Sequence, residues 1–372
     1  MNEGEKRLDT VRLQELAQGF WRSGALMAAV ELGLFTAISK GASSYTGAAK
    51  ALNISELNAE RLITACVALE LIKQDNAGRL TNAPDVERFL VEGSSRYAGP
   101  WMLFTKPSWN DWGILSEKLR SKKIDKLGKY GEFTVERARE YHQATYSIGM
   151  GAGRRFSRQV DMTTRKRLMD IGGGSGAYSI VATEKYHGLK AVVLDLPPVI
   201  AVTKEFIAEN GASSRVDAEA CDFTADPFPK DCDVGVMASN LPIYSREIVG
   251  EVIKKAFDAL LPGGEMHLIG ETLNDDRQGP VGPALWGLSE AIGGTTGLAH
   301  TNADCIGYFE DAGFIDVTVN VINVVLHSLP FNICREMAIT PPGMNAYGDR
   351  GGHPRTVRKR PKFFSYHARE GF

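Results

Sequence analysis

Along the first hundred positions apolar residues recur at helical spacing. Leu13–Phe35 (LQELAQGFWRSGALMAAVELGLF) places them every three or four residues, which predicts helix, and Gly33 suits its end. YTGAAKALNI follows, and Ser55 caps a second helix that the pattern carries to Lys73. Turn residues at Asp75–Gly78 and a short polar segment complete the order helix, turn, helix, small hairpin, the outline of a winged helix. From about residue 94 to 165 the pattern is again helical and crowded with aromatics: Tyr97, Trp101, Phe104, Trp109 and Trp112, then Tyr141 and Tyr146 in REYHQATYSIGMGAGRRF.

At Arg167 the period changes. RLMDI is a buried strand running into glycines, AYSIVATEKY a helix, and AVVLDLP a second strand. VDAEACDF, DVGVMASN, the helix EIVGEVIKKAFDALL, the turn PGG and the strand EMHLIGE continue the alternation. Strands alternating with helices predict an α/β, doubly wound parallel sheet. ADCIGYFEDAGF and IDVTVNVINVVLHSL add a last helix and strands. Beyond about Thr340 the chain is rich in Pro, Gly and basic residues, with Arg358, Lys359, Arg360 and Lys362 in one run, and reads as a solvated, flexible tail.

Composition narrows the function classes. At 372 residues the chain is too long for one small domain, and 43% hydrophobic with 24% charged residues excludes disorder as its overall state. A net charge of −2 gives no global field toward nucleic acid or anionic membrane. No apolar run reaches membrane-spanning length, and the N-terminus lacks a signal-peptide core. Five scattered cysteines (Cys66, Cys221, Cys232, Cys305 and Cys334) form no C-x-x-C pair, so a reduced, cytoplasmic protein without a cysteine zinc site is expected. No two His or acidic residues on one element have metal-ligand spacing, and no metal is expected. The second helix sets Arg61 and Lys73 against Glu56, Glu60 and Glu70, a weak footprint for DNA; packing against a second copy of the chain suits so apolar a domain better.

The strongest local signal is DIGGGSG, Asp170–Gly176, at a strand-to-helix turn, where glycines let backbone and helix N–H groups approach a ligand. Asp195 ends the next strand and can accept from two ribose hydroxyls; Asp222 ends the third and can reach an adenine amine. A dinucleotide turn reads G-x-G-x-x-G, whereas Ala177, Tyr178 and Ser179 follow here, and an acid before the turn suits a cofactor with an ammonium group. That pattern points to S-adenosylmethionine.

With LMDIGGGSGAYS, VVLDLPPV, CDF and ALLPGGEMHLIGE following a helical, winged-helix-like half, the chain resembles the two-domain small-molecule O-methyltransferases. The resemblance implies a class I methyltransferase domain, S-adenosylmethionine as cofactor and a homodimer built on the N-terminal domain. It sets expected boundaries at 1–100 (dimerisation), 101–165 (connector and pocket wall), 166–340 (cofactor-binding) and 341–372 (tail). By position, Asp170, Gly172, Gly174, Asp195, Leu196, Asp222, Phe223 and Ser239 are the cofactor residues it implies.

In that family the fourth strand leads to a His-Asp-Trp segment whose histidine deprotonates the acceptor, and a later glutamate orients it. Here Pro242, Ile243 and Tyr244 stand at the first three positions, while GLAHTN puts Ala299 at the glutamate position and His300 beside it. A phenol or alcohol must shed a proton, so a base is worth roughly 10²–10⁴-fold to it. A thioether has none to lose, and in-line positioning beside π-faces then suffices. Trp101, Phe104, Trp109, Tyr141, Tyr146, Tyr244 and Trp286 are the candidate walls.

Within the family, RLQELAQGFWRSGALMAAVELGLF, YAGPWMLFTKP and GLAHTNADCIGYFEDAGF are similar to bacterial S-methyltransferases of dimethylsulfoniopropionate synthesis, which act on 4-methylthio-2-hydroxybutyrate. Arg22, Lys106 and Arg246 are candidates for its carboxylate. The alternative is O- or C-methylation of an aromatic metabolite with Tyr244 or His300 as a relocated base. A third reading, a catalytically silent ligand sensor on DNA, meets the objection of the acidic second helix.

Overall fold

The first helical stretch folds as three helices. Val11–Ala17 (α1), Gly19–Glu31 (α2) and Leu34–Ser39 (α3) part at Gln18 and at Gly33, whose φ of 73° stops one helix and starts the next. Tyr45–Leu52 (α4) and Glu56–Ala68 (α5) begin at Ser44 and Ser55, whose side chains accept from Gly47 N and Asn58 N. α5 stops short of Lys73, because the chain turns through Glu70 (φ 59°) into Ile72–Gln74 (β1), which pairs antiparallel with Leu80–Asn82 (β2). Leu34, Phe35, Ile63, Ile72 and Leu80 form the core of this unit, each worth about 1.5–3 kcal/mol when fully buried. Pro84–Phe89 (α6), Gly99–Leu103 (α7), Trp109–Gly113 (α8) and Leu115–Arg120 (α9) lead to Val135–Gln159 (α10).

In this computed structural model the described residues are 8–323 and 335–340, so the expected basic tail and Cys334 lie outside them. After α10 come Arg167–Ile171 (β3), Ala177–Lys185 (α11), Lys190–Asp195 (β4), Pro197–Glu209 (α12), Val216–Ala220 (β5), Val234–Ala238 (β6) and Arg246–Ala259 (α13). Glu265–Glu271 (β7), Val281–Gly293 (α14), Asn302–Ala312 (α15), Thr318–Asn323 (β8) and Arg335–Thr340 (β9) complete the unit. The sheet order is β5-β4-β3-β6-β7-β9-β8; the first five strands are parallel and the last two pairings antiparallel.

The central strands are buried on both faces, as expected of parallel strands under helices. Phe156, Tyr178, Val193 and Phe206 pack on one side, and Met169, Leu194, Met237, Ile253 and Phe309 on the other. The winding reverses at β3, which has β4 on one flank and β6 on the other, so its C-terminal edge opens the crevice where such sheets bind ligands. α10 comes close to that edge because a Cβ on Gly153 would stand only 3.0 Å from Ala177 O. Cys66, Cys221, Cys232 and Cys305 are free and buried. No helix among the described residues is long and apolar enough to cross a membrane.

Candidate active site

The glycine turn after β3 is shaped by close neighbours. Gly172, Gly174 and Gly176 have φ of 63°, 55° and 74°. A Cβ on Gly172 would fall 2.0 Å from Asn240 Nδ2, and one on Gly174 2.6 Å from His142 Cε1, so no larger residue fits. Asn240 Nδ2 donates to Ile171 O and Gly172 O at 3.2 Å, tying the end of β6 to the turn. Ser239, just before it, holds a left-handed φ of 64°. Asp170 is buried and accepts from Ser179 Oγ at 2.7 Å. Asp195 Oδ2 accepts from Gly174 N at 2.9 Å and Oδ1 from Leu196 N at 2.8 Å. Burial pushes both carboxyls up to about 6. Asp222 Oδ1 accepts from Thr224 N at 3.0 Å, and Lys255 Nζ braces the same loop by donating to Phe223 O and Asp226 O at 2.6 Å.

All these residues except Ile171, Gly176, Ser179, Thr224, Asp226 and Lys255 line one cavity, together with a stripe of α10. Tyr141, His142, Thr145, Ile148, Gly149 and Ala152 follow helical spacing and face it. Trp101, Phe104, Tyr130, Phe133, Tyr178, Tyr244 and Trp286 supply further aromatic wall. Trp101 stacks on Phe104 at 5.1 Å, and Phe104 meets Tyr141 edge-on at 5.1 Å. Phe223 and Tyr244 meet edge-on at 5.3 Å. Asp170, Asp195, Asp222 and Glu271 also line the cavity, whereas no Lys or Arg does among the described residues. Carboxylates beside aromatic faces suit a cationic ligand. Nor do the described residues contain a cluster of three His, Cys, Asp or Glu able to hold a metal ion.

Comparison with known proteins then assigns the family. Residues 129–315 match the O-methyltransferase domain, and residues 14–92 match the O-methyltransferase dimerisation domain. The chain is 32% identical to 3-hydroxy-5-methyl-1-naphthoate 3-O-methyltransferase of Streptomyces sahachiroi over 310 residues, 82% of this chain and 89% of that protein. The chain belongs to the O-methyltransferase family. It is a methyltransferase that depends on S-adenosylmethionine. Acetylserotonin O-methyltransferase of Bos taurus is 26% identical over 82% of this chain and 92% of its own length. The fold is that of human N-acetylserotonin methyltransferase, solved in complex with S-adenosylmethionine: TM-score 0.75 at 23% identity, covering 91% of this chain and 99% of that one.

The segment after β6 and the loop before α15, expected from the resemblance to correspond to the family's base and its orienting acid, meet each other here. A Cβ on Gly297 would stand 2.1 Å from Pro242 O, and His300 Nε2 lies 3.0 Å from Tyr244 O. His300 is fully buried, its Nδ1 bonded to Tyr308 Oη at 2.8 Å, and it is not among the cavity residues. Both ring nitrogens are taken, which corrects its expected place as a base facing the acceptor. Tyr244 does line the cavity; burial, then the charges of Asp195 and Asp222, hold its hydroxyl far above the ordinary tyrosine range.

Two expected wall residues are elsewhere. Tyr146 lies off the cavity-facing stripe of α10 and stacks on Phe206 at 4.6 Å. Trp109 packs toward Gly24 of α2, where its Cη2 would be 3.4 Å from an added Cβ. Arg22 is exposed, Lys106 pairs with Glu31, and Arg246 pairs with Asp304 at 3.3 Å; none lines the cavity. Sequence reading passed over Tyr130, His142 and Asn240. The glycine spacing pointed at the turn but not at what closes over it.

Proposed function

We propose that this enzyme methylates the sulfur of a small thioether acid of the 4-methylthio-2-hydroxybutyrate type, without a general base, as a homodimer joined through residues 14–92. The observation that carries the reading is that His300, the imidazole near Pro242, is bonded at both nitrogens and lies outside the cavity, while Pro242 stands where the resemblance expects the family's base. When bound, S-adenosylmethionine supplies an electrophilic methyl group on a sulfonium. The glycine turn, Asp195, Leu196, Asp222, Phe223 and Ser239 are the residues that would hold it. The left-handed glycines, the desolvated carboxylates and the absence of lining cations among the described residues fit that cationic group.

The chain's own part is then positioning. Trp101, Phe104, Tyr141 and Tyr244 present π-faces, exclude water and stabilise positive charge wherever it sits, which serves a reaction that moves a charge from one sulfur to another. Among the described cavity residues His142 is the one imidazole; burial depresses it to about 4, and it rests against Gly174. It is therefore a weak base on the cofactor side.

The names of the relatives favour a second reading, O-methylation of an aromatic hydroxyl. That reaction needs a base, and Tyr244 stays a protonated phenol at neutral pH while His300 is turned away. The test is product identification. Enzyme, methyl-labelled cofactor and 4-methylthio-2-hydroxybutyrate should give the dimethylsulfonium acid by mass spectrometry. A methyl ether at the 2-hydroxyl, or transfer to phenols alone, would contradict the proposal.

A further inference from the structure

The amino-acid end of S-adenosylmethionine carries an ammonium and a carboxylate, and the cavity treats the two unequally. Asp170, Asp195, Asp222 and Glu271 line it, which suits the ammonium, whereas no Lys or Arg does among the described residues. A carboxylate placed among acids is repelled and desolvated unless N–H groups receive it. This cavity has to meet the anionic end of the cofactor with neutral donors.

His142 is such a donor, and close contacts fix its place. It belongs to the cavity-facing stripe of α10, and its ring stands over the glycine turn: a Cβ on Gly174 would be 2.6 Å from Cε1 and 2.9 Å from Nδ1. Gly174 is itself held, its N donating to Asp195 Oδ2 at 2.9 Å and its O accepting from Thr203 Oγ1 at 2.6 Å. Beyond His142, α10 runs across the start of α11, where a Cβ on Gly149 would stand 3.2 Å from Ala177 Cβ. Ser175, Ala177 and Tyr178 line the cavity there, and the first N–H groups of a helix favour an anion.

Two other polar side chains of the cavity wall are spent. Asn240 Nδ2, also against the turn, donates to Ile171 O and Gly172 O at 3.2 Å, and Thr145 Oγ1 donates to Tyr141 O at 3.1 Å. The ring nitrogens of His142, by contrast, have no hydrogen-bond partner among the described residues. The ring is steadied by an edge-on contact with Tyr141, centroids 5.2 Å apart. Burial keeps it uncharged in the free protein, and a neutral imidazole has one N–H to give.

We propose that His142 receives the carboxylate of S-adenosylmethionine, its imidazole N–H acting with the first N–H groups of α11 in place of an Arg or Lys. The assignment concerns the cofactor alone and is independent of which acceptor atom is methylated.

The test is calorimetry on the full-length enzyme with two ligands. One is S-adenosylhomocysteine; the other is its decarboxylated analogue, which keeps the adenosine, sulfur and amine and lacks only the carboxylate. The wild-type protein should bind S-adenosylhomocysteine the more tightly. In His142→Phe, which keeps a flat ring without an N–H, that preference should fall about tenfold. His142→Gln, which puts back an N–H donor, should recover most of it. Partial unfolding reduces the number of sites in both titrations and leaves the ratio of the two Kd values alone. Should His142→Phe fail to fold, His142→Ala decides by the same ratio. A ratio unchanged from wild type overturns the proposal, and so does a wild-type protein that binds both ligands equally.

Discussion

Pro242 has no group that can take a proton, and His300 spends both ring nitrogens holding Tyr308 Oη and Tyr244 O. At the scale of one residue, this makes His300 a structural link between the segment after β6 and helix α15. His300→Ala would leave a buried hydroxyl and a buried carbonyl without their partner, at a cost of about 1–3 kcal/mol. The urea midpoint should fall accordingly, while the enzyme that stays folded keeps the wild-type shape of its pH–rate profile. An unchanged midpoint with a lost basic limb would instead assign proton transfer to His300. Asp195→Asn tests the cofactor side. It keeps the shape of the side chain but removes the charge that accepts from Gly174 N and Leu196 N. Calorimetry with S-adenosylhomocysteine should show affinity weakened by roughly 10–100-fold, the worth of a charged hydrogen bond. Unaltered affinity would remove Asp195 from the binding site.

Among the elements, what was legible in the sequence is what periodicity and glycine chemistry encode. The strand-to-helix turn at Asp170–Gly176 and the acids closing β4 and following β5 could be placed because each ends a recognisable strand. Tyr146 shows where that reasoning stops. Five residues beyond Tyr141 on an α-helix is a rotation of about 140° from the starting face, so Tyr141 and Tyr146 cannot share a wall. Tyr130 lies in a 3₁₀ turn with no period to reveal it, and Asn240 is an ordinary polar residue until β6 and β3 are paired.

Helix α5 was extended to Lys73 by its apolar pattern, but Glu70 turned the chain first. The exposed apolar face of α1 and α2, with Leu16, Phe20 and Trp21 each more than half exposed, is unusual for a surface and belongs to the segment matching a dimerisation domain. Leu16→Glu combined with Trp21→Glu should halve the mass measured by sedimentation velocity. A double variant that still sediments as a dimer would move the interface elsewhere.

Across the whole molecule, the buried titratable groups link folding, cofactor and pH. Asp170 and Asp195 are raised from 3.8 to about 6 by burial, so the stability they contribute is fully present below about 3.8 and lost as pH rises through about 6. His142, lowered from 6.5 to about 4 by burial, runs the other way: its contribution is present above 6.5 and lost as pH falls through about 4. Cofactor binding calls on the ionised carboxylates that the free protein finds costly. The rise in Tm produced by a fixed, saturating concentration of S-adenosylhomocysteine should therefore shrink as pH is lowered from 7 to 5. A rise that stays constant over this range would mean that neither carboxyl changes its charge there.

The central claim is that the acceptor brings a lone pair already available and the protein removes no proton. The pH dependence of kcat/KM for 4-methylthio-2-hydroxybutyrate between about pH 6.5 and 9, at saturating cofactor, bears on it most directly. A level profile is the predicted result. A profile that climbs with unit slope to a plateau, marking a single base that must lose its proton, would contradict the account.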